Sequence, residues 1–321
     1  MSARRRRRRR GLVAVVTAVA VAGAGAGAWW VVTRDDATPA RERCSAALDG
    51  TDWYLTPVQA EHAALVAGAT VRRGMPARAA TIGLATALQE SRLVNIDYGD
   101  RDSLGLFQQR PSQGWGTIEQ IMDPLYATDT FFDALATVPG YESLEVTVAA
   151  QTVQRSAFPD AYAQHEVRSR AWASGLTGHS PAVISCELAP AGAPRPAADV
   201  VAALTERAAR DLGLSADAVV VTDPDGDDGG AGTGGSTGAG LTVQVDAAAL
   251  PTEDPARAAW VVAQWAVATA SVTDVVEVAV ADRAWSRASG VRAGRTDDDA
   301  WQAGAGTALA PGTVALRLAT G

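Results

Sequence analysis

The chain has 321 residues, of which 28 are basic and 36 acidic, giving a net charge of −8, and 47% of it is hydrophobic. That length supports two ordinary domains with linkers, and that composition fits globular material plus an apolar segment. All the basic residues are Arg, and seven of them fill positions 4–10 beside an apolar stretch. A nucleic-acid binder carries its basic surface on a folded domain, so nucleic acid is excluded as a partner and membrane orientation is the better reading.

Residues 11–33 are apolar almost throughout. They exceed the roughly 20 residues that a helix needs to cross a bilayer. The expectation is an N-terminal transmembrane helix that ties the chain to the cell membrane as a single pass. Residues 1–10 would form a cytoplasmic Arg-rich tail, and the bulk of the chain would be extracytoplasmic. The alternative is secretion after signal cleavage, because Ala24-Gly25-Ala26 and Ala26-Gly27-Ala28 resemble small-residue cleavage sites. Residues 34–49 read as a polar stalk. The two cysteines, Cys44 and Cys186, are an even count in an oxidising compartment. They predict a disulfide bond, with two free buried thiols as the alternative.

Residues 50–186 carry helix punctuation. Thr56-Pro57-Val58-Gln59 is a capping box with Pro at the first helical position, and Gly74 is a stop. Pro76 opens a second helix that runs through Ile82, Leu84 and Leu88 to Glu90-Ser91. A polar loop follows over 95–116. Thr117 to Gln120 is another capping box, Asp123-Pro124 starts a further helix, and two more are expected near 144–156 and 159–175. This part reads as a mainly α domain. Residues 187–197 read as a Pro/Ala linker. Residues 198–321 read as a small α/β (α+β) domain. Its helices are expected at 198–212 and 255–271, and its strands at 218–222, 241–245, 275–281 and 313–318. Residues 223–240, rich in Gly and Asp, read as a disordered loop.

The chemistry concentrates in Glu90-Ser91 and the loop after it. A carboxylate at a helix C-terminus faces the negative end of the helix dipole, and burial adds to the rise in its pKa. A carboxyl kept protonated near neutral pH is what a general acid for glycosidic cleavage requires. Ser91 can hydrogen-bond across the site, and Gly105 permits close backbone approach. Phe107 and Trp115 offer flat faces for sugar rings. Gln108, Gln109 and Gln113 offer amides for hydroxyl and N-acetyl groups. Asp97, Asp100, Asp102 and Glu119 are the candidates for a second carboxyl, yet none has the helix-end setting of Glu90.

Glu90-Ser91, then Gly105-Leu106-Phe107-Gln108, then Ala161-Tyr162-Ala163 resemble the three motifs of the soluble lytic transglycosylase and goose-type lysozyme superfamily. The longer string over 100–116 is similar to the lysozyme-like domain of actinobacterial cell-wall proteins. The resemblance covers about residues 50–175 and implies a lysozyme-like catalytic domain acting on peptidoglycan glycan strands. It implies Glu90 as acid and base, Gln108 and Gly105 as sugar contacts, and Tyr162 hydrogen-bonded near Glu90. Ala163 stands where the family has Asn, and Phe107 where it has Met. The implied enzyme is a lytic transglycosylase that cleaves the MurNAc–GlcNAc β-1,4 bond with one carboxyl. A non-catalytic cell-wall glycan-binding or scaffold protein with the lysozyme-like fold is the second reading, and a lysozyme using water a third. No cofactor and no metal are expected: His62, His165 and His179 lack zinc-ligand spacing. The acidic run from Asp223 lacks the closing Glu of a calcium loop.

Overall fold

The capping box at Thr56 is formed in the computed structural model, which describes residues 42–156, 160–193, 195–222, 240–287, 300–304 and 308–320. Thr56 N–H donates to Gln59 Oε1 at 2.9 Å while Thr56 Oγ1 accepts from Gln59 N–H, and helix α1 (Pro57–Arg72) begins there. Two orphan amides at the helix start are thereby satisfied. Helix α2 spans Ala77–Ser91. A second box, Thr117 with Gln120, starts the short α3 (Ile118–Met122), and Asp123 caps α4 (Pro124–Ala136) through Leu125 N–H. Helices α5 (Val146–Gln154) and α6 (Glu166–Leu176) follow.

Helix α2 is the axis of this half. All of residues 79–88 are buried, as expected of a helix apolar on every side. Its small residues let neighbours approach closely. A Cβ on Gly83 would lie 2.8 Å from Phe132 Cζ on α4 and 3.1 Å from Val66 Cγ1 on α1. Its buried Thr86 hydroxyl is satisfied by Ile82 O at 2.8 Å.

Three strands close one side of the helices. Strands β1 (Arg43–Leu48), β2 (Thr51–Leu55) and β3 (Ile184–Glu187) form an antiparallel sheet in the order β2-β1-β3. Cys44 stands directly opposite Cys186 across β1 and β3, and the two are joined as a disulfide across a separation of 142 residues. Downstream come α7 (Ala197–Leu212), β4 (Val219–Thr222), β5 (Gly240–Asp246), α8 (Pro255–Ala268), α9 (Ala270–Thr273) and β6 (Val275–Val280). Strands β7 (Arg283–Ser286), β8 (Trp301–Ala303) and β9 (Thr313–Ala319) complete a six-stranded antiparallel sheet, ordered β4-β5-β9-β6-β7-β8. In β9, Val314, Leu316 and Leu318 are buried and their neighbours are not, which is the period-two pattern of a half-covered sheet.

The C-terminal half is fastened to the helices by buried polar groups, and Arg41–Gly321 forms one compact unit. Gln264 of α8 has no exposed surface, and its amide is fully used. Its Oε1 accepts from Val183 and Ile184 N–H, both at 3.0 Å, and its Nε2 donates to Gly175 O at 2.7 Å and Ser180 O at 2.9 Å. Asp211 of α7, also fully buried, accepts from Arg207 Nε at 2.7 Å, Arg210 Nε at 2.9 Å and Trp265 Nε1 at 2.9 Å. Arg207 in turn reaches Glu61 of α1 at 2.9 Å.

The expected fold class is corrected on three counts. The fold is mixed helix and sheet rather than mainly α, because short strands cover the helices. Of the expected stalk, residues 43–48 are the central strand β1. RCSAAL, TDWYL and ISCE are too short and too weakly alternating to announce themselves, and β1 finds β3 only across the disulfide. The C-terminal sheet is antiparallel throughout, hence α+β. The expected N-terminal transmembrane helix is not supported: no helix among the described residues is long and apolar enough to cross a membrane. Residues 11–33 lie outside the described residues, as do residues 223–239 of the expected disordered loop over 223–240, whose last residue, Gly240, begins β5.

Two stability changes follow. Replacing Cys44 and Cys186 by Ala releases a loop worth about 4–5 kcal/mol in the chain-entropy account. Urea unfolding of the double variant is expected to show a lower midpoint with that loss as its upper limit. Asp211→Ala strips a buried network of its fully buried carboxylate, and the expected cost is about 3–5 kcal/mol. Asp211→Asn, which keeps one acceptor oxygen, is expected to lose less in the same measurement.

Candidate active site

Glu90 lies in the last turn of α2, partly buried, where three segments converge. Tyr162, fully buried just before α6, donates its hydroxyl to Glu90 Oε1 at 2.6 Å, the contact that the resemblance led us to expect. Gln154, the last residue of α5, lies beside Glu90, and its amide nitrogen donates to Phe107 O at 2.8 Å, so this side chain ties α5 to the loop after α2 next to the acid. Burial pushes the Glu90 pKa up, against the opposing pull of the Tyr162 hydroxyl and the nearby Gln154 amide. Burial also raises the Tyr162 phenol, as does the neighbouring Glu90 charge.

The exit from α2 is unusual. Arg92 and Leu93 are consecutive non-glycine residues in the left-handed region, at φ 59° and 57°. Such conformations persist where surrounding contacts over-determine them. Here α1 supplies the contacts: Gln59 Nε2 donates to Arg92 O at 2.8 Å, and His62 Nδ1 lies 2.9 Å from Leu93 O. Leu93 N–H closes the helix on Ala87 O.

The loop carrying the other expected site residues is a tight, inward-facing turn. Leu104 and Gln109 exchange backbone hydrogen bonds at 3.0 Å in each direction. Gly105 takes φ +77°, and a Cβ there would lie 2.7 Å from Ile121 O, so glycine is required by this turn as much as by any ligand. Ser91 Oγ donates to Leu106 O at 2.7 Å and to Ala87 O at 3.2 Å. Its role is to hold the loop to α2. Phe107 is fully buried and stacks on Phe131 with ring centroids 4.5 Å apart, which corrects the expectation of a sugar platform. Its apolar ring is worth more in the core than facing solvent. Gln109 is likewise buried, donating to Ala127 O at 3.0 Å, and is structural. Gln108 folds back, with its amide nitrogen 3.3 Å from Tyr98 O and 3.4 Å from Gly105 O, and remains only partly covered.

Trp115 stays at the surface of a groove of about 530 Å³ between α4 and α5. Gln113, Thr137, Thr152, Gln154 and Arg155 are among its other walls, so Gln154 belongs both to the groove and to the Glu90 cluster. No protein-family model matches the chain, and no curated protein matches it.

The expected second-carboxyl candidates are occupied elsewhere or exposed. Asp102 accepts from Arg110 Nε at 2.8 Å and Ser112 N–H at 2.9 Å, and these donors hold its pKa well below the carboxylate range. Glu119 sits in the first turn of α3, where its own backbone N–H and Thr117 lower its pKa. Asp97 and Asp100 are exposed. The causes of the Glu90 shift include no carboxylate. No group of three or more His, Cys, Asp or Glu among the described residues could hold a metal ion.

Gln154, Gln59 and His62 were not singled out from sequence as parts of this site. Gln59 was legible only as a capping residue, and nothing in the pattern around Gln154 marks it.

The raised Glu90 pKa has a definite sign in stability. Between the unfolded value, about 4.3 for Glu, and the higher folded value, the folded state binds more protons than the unfolded state. Stability is therefore lost as pH rises through that window. Glu90→Gln, whose amide oxygen still accepts from Tyr162, is expected to exceed the wild type in stability at neutral pH and to lose that advantage below the window. Tyr162→Phe removes a donor that favours the ionised form. Carboxyl ¹³C titration is expected to show the Glu90 midpoint moving further up.

Proposed function

We propose that the chain cleaves peptidoglycan glycan strands at the MurNAc–GlcNAc β-1,4 bond, as a lytic-transglycosylase-type enzyme with Glu90 as its only catalytic carboxyl. The observation that carries this is the partly buried, protonation-prone Glu90, held by the Tyr162 hydroxyl beside Gln154, where a groove with Trp115 in its wall begins. A carboxyl raised by burial and fixed by donors is suited to give a proton and then take one back. The resemblance of Glu90-Ser91 and of residues 105–108 to the lytic transglycosylase motifs supports the same reading. The disulfide supports a location outside the cytoplasm.

Protonated Glu90 gives its proton to the glycosidic oxygen as the C1–O bond breaks. The resulting carboxylate then takes the proton of the C6 hydroxyl while O6 bonds to C1, leaving a 1,6-anhydro ring and a regenerated acid. Retaining and inverting hydrolases need a second carboxyl at about 5–5.5 Å or about 6.5–9.5 Å. Asp102 and Glu119 are engaged by donors of their own, which favours the route in which substrate supplies its own nucleophile. Tyr162 and Gln154 orient the acid, and Trp115 provides a flat apolar face for a sugar ring.

Digestion of purified cell wall, with mass spectrometry of the products, tests the reading. Release of 1,6-anhydro-MurNAc ends by the wild type and loss of at least about a thousandfold in Glu90→Gln are expected, the scale of a lost general acid. Reducing MurNAc ends as the main product would make the enzyme a lysozyme. Full activity in Glu90→Gln, or glycan binding with no turnover by the wild type, would overturn the proposal.

A further inference from the structure

A second cavity, of about 280 Å³, lies away from Glu90, where the turn between α1 and α2, the segment after α6 and the start of α8 meet. Its walls include Met75, Ala77, His179, Thr252 and Arg257. Arg257 is out of place by three measures. Its Nε is buried and has no hydrogen-bond partner. Among the described residues its guanidinium makes no ion pair, in a chain with an excess of acidic residues. It also sits in the first turn of α8, where the helix dipole disfavours a cation. Asp254, three residues earlier, is engaged in capping Ala256 N–H at 2.9 Å.

The rest of the cavity adds a neutral ring donor and a helix dipole. His179 lies near enough to Arg257 for the guanidinium to depress its pKa, although burial is the larger cause. Ala77, the first residue of α2, borders the cavity. That end of a 15-residue helix has no side-chain cap and no acidic residue in its first turn. Ala79 N–H is taken by Pro76 O at 2.9 Å and Arg78 is paired with Glu166 at 3.0 Å, so the helix dipole is what this end offers an anion. The walls are fixed: Gly178 takes φ +76°, and a Cβ there would lie 2.4 Å from Arg257 O.

We propose that this cavity binds an organic oxyanion, a carboxylate or a phosphate ester, between the guanidinium of Arg257, the His179 ring and the N-terminus of α2. The oxyanion pairs with the guanidinium charge of Arg257, which has no carboxylate partner among the described residues, and with the helix dipole, while the His179 ring offers an N–H. Met75 and the other apolar walls cover its carbon skeleton. The site is independent of Glu90. It stands at the opposite end of α2, about 20 Å away along the helix axis at 1.5 Å per residue.

The test uses the full chain and its three histidines, with His179 assigned by His179→Gln. Histidine ring resonances are followed by NMR during titration with inorganic phosphate, acetate and methyl phosphate, with chloride at matched ionic strength as the control. The expected result is a saturable response centred on His179, with its titration midpoint moved up by the oxyanion and not by chloride. Arg257→Gln is expected to weaken binding by about tenfold or more, the scale of one charged hydrogen bond. Arg257→Lys, which keeps charge without the fork, is expected to lose less. The ratio of phosphate to acetate affinity tells the two sources of oxyanion apart. An equal response to chloride, no saturable response in the wild type, or undiminished binding by folded Arg257→Gln overturns the proposal. The wild-type titration decides the matter even if a variant fails to fold.

Discussion

Asp211 has no exposed side-chain surface, yet it sits among two guanidinium groups and an indole N–H. A charge so placed costs several kcal/mol to desolvate unless its oxygens are well paired. Here the donors come from α7 itself and from Trp265 of α8. The network continues through Arg207 to Glu61, which lies on α1 between Gln59 and His62. Those two residues hold the carbonyls of Arg92 and Leu93 just beyond Glu90. Arg72, further along α1, donates to Arg210 O at 2.7 Å. The C-terminal layer thus fixes α1, and α1 fixes the turn that ends the helix carrying the acid. A domain boundary read from the Pro/Ala stretch would not suggest such a dependence.

At Glu90 two effects compete. Burial favours the neutral acid, while the Tyr162 hydroxyl and the Gln154 amide favour the anion. Burial wins, so the acid form is retained to higher pH, but the donors keep the ionised form accessible. An acid that must give up a proton and recover one needs both sides of that balance. The loop over 104–109 serves the same end from behind. Its aromatic ring and one glutamine go into the core, its carbonyls are taken by Ser91 and Gln154, and its surface facing Glu90 is therefore held in place.

The sequence was legible where a local rule sufficed. Both capping boxes, the Pro124 start and the strand over 313–318 depend on residues a few positions apart, and all were found close to where they were read. The small strands β1 and β3 depend on a pairing across more than half the described chain, which no local pattern carries. The site divides in the same way. Glu90 at a helix end could be read directly, and Tyr162 came with the resemblance. Phe107 and Gln109 have the right chemistry for sugar but the wrong side of the loop. That side is set by the positive φ of Gly105 and Gln108 and by the Ser91 clamp. Gln154 could not be read, because its function comes from meeting α2 and the loop in space.

Helix α2 gives one direction to the electrostatics of the molecule. Its amide dipoles align along a buried axis, where water screens them least. At the C-terminal end the partial negative charge works against ionisation of Glu90, in the same sense as burial. At the N-terminal end, where no side chain caps the helix, the partial positive charge adds to the Arg257 guanidinium beside the cavity. The carboxylate of Glu166 at this end is already committed to Arg78 at 3.0 Å, so it offsets that side chain first. A cation set against the Glu90 carboxyl would lower its pKa and remove the acid, whereas Arg92, two residues on, is exposed and screened by solvent. The backbone polarity of one helix thus works in the same sense as burial at one end and as Arg257 at the other.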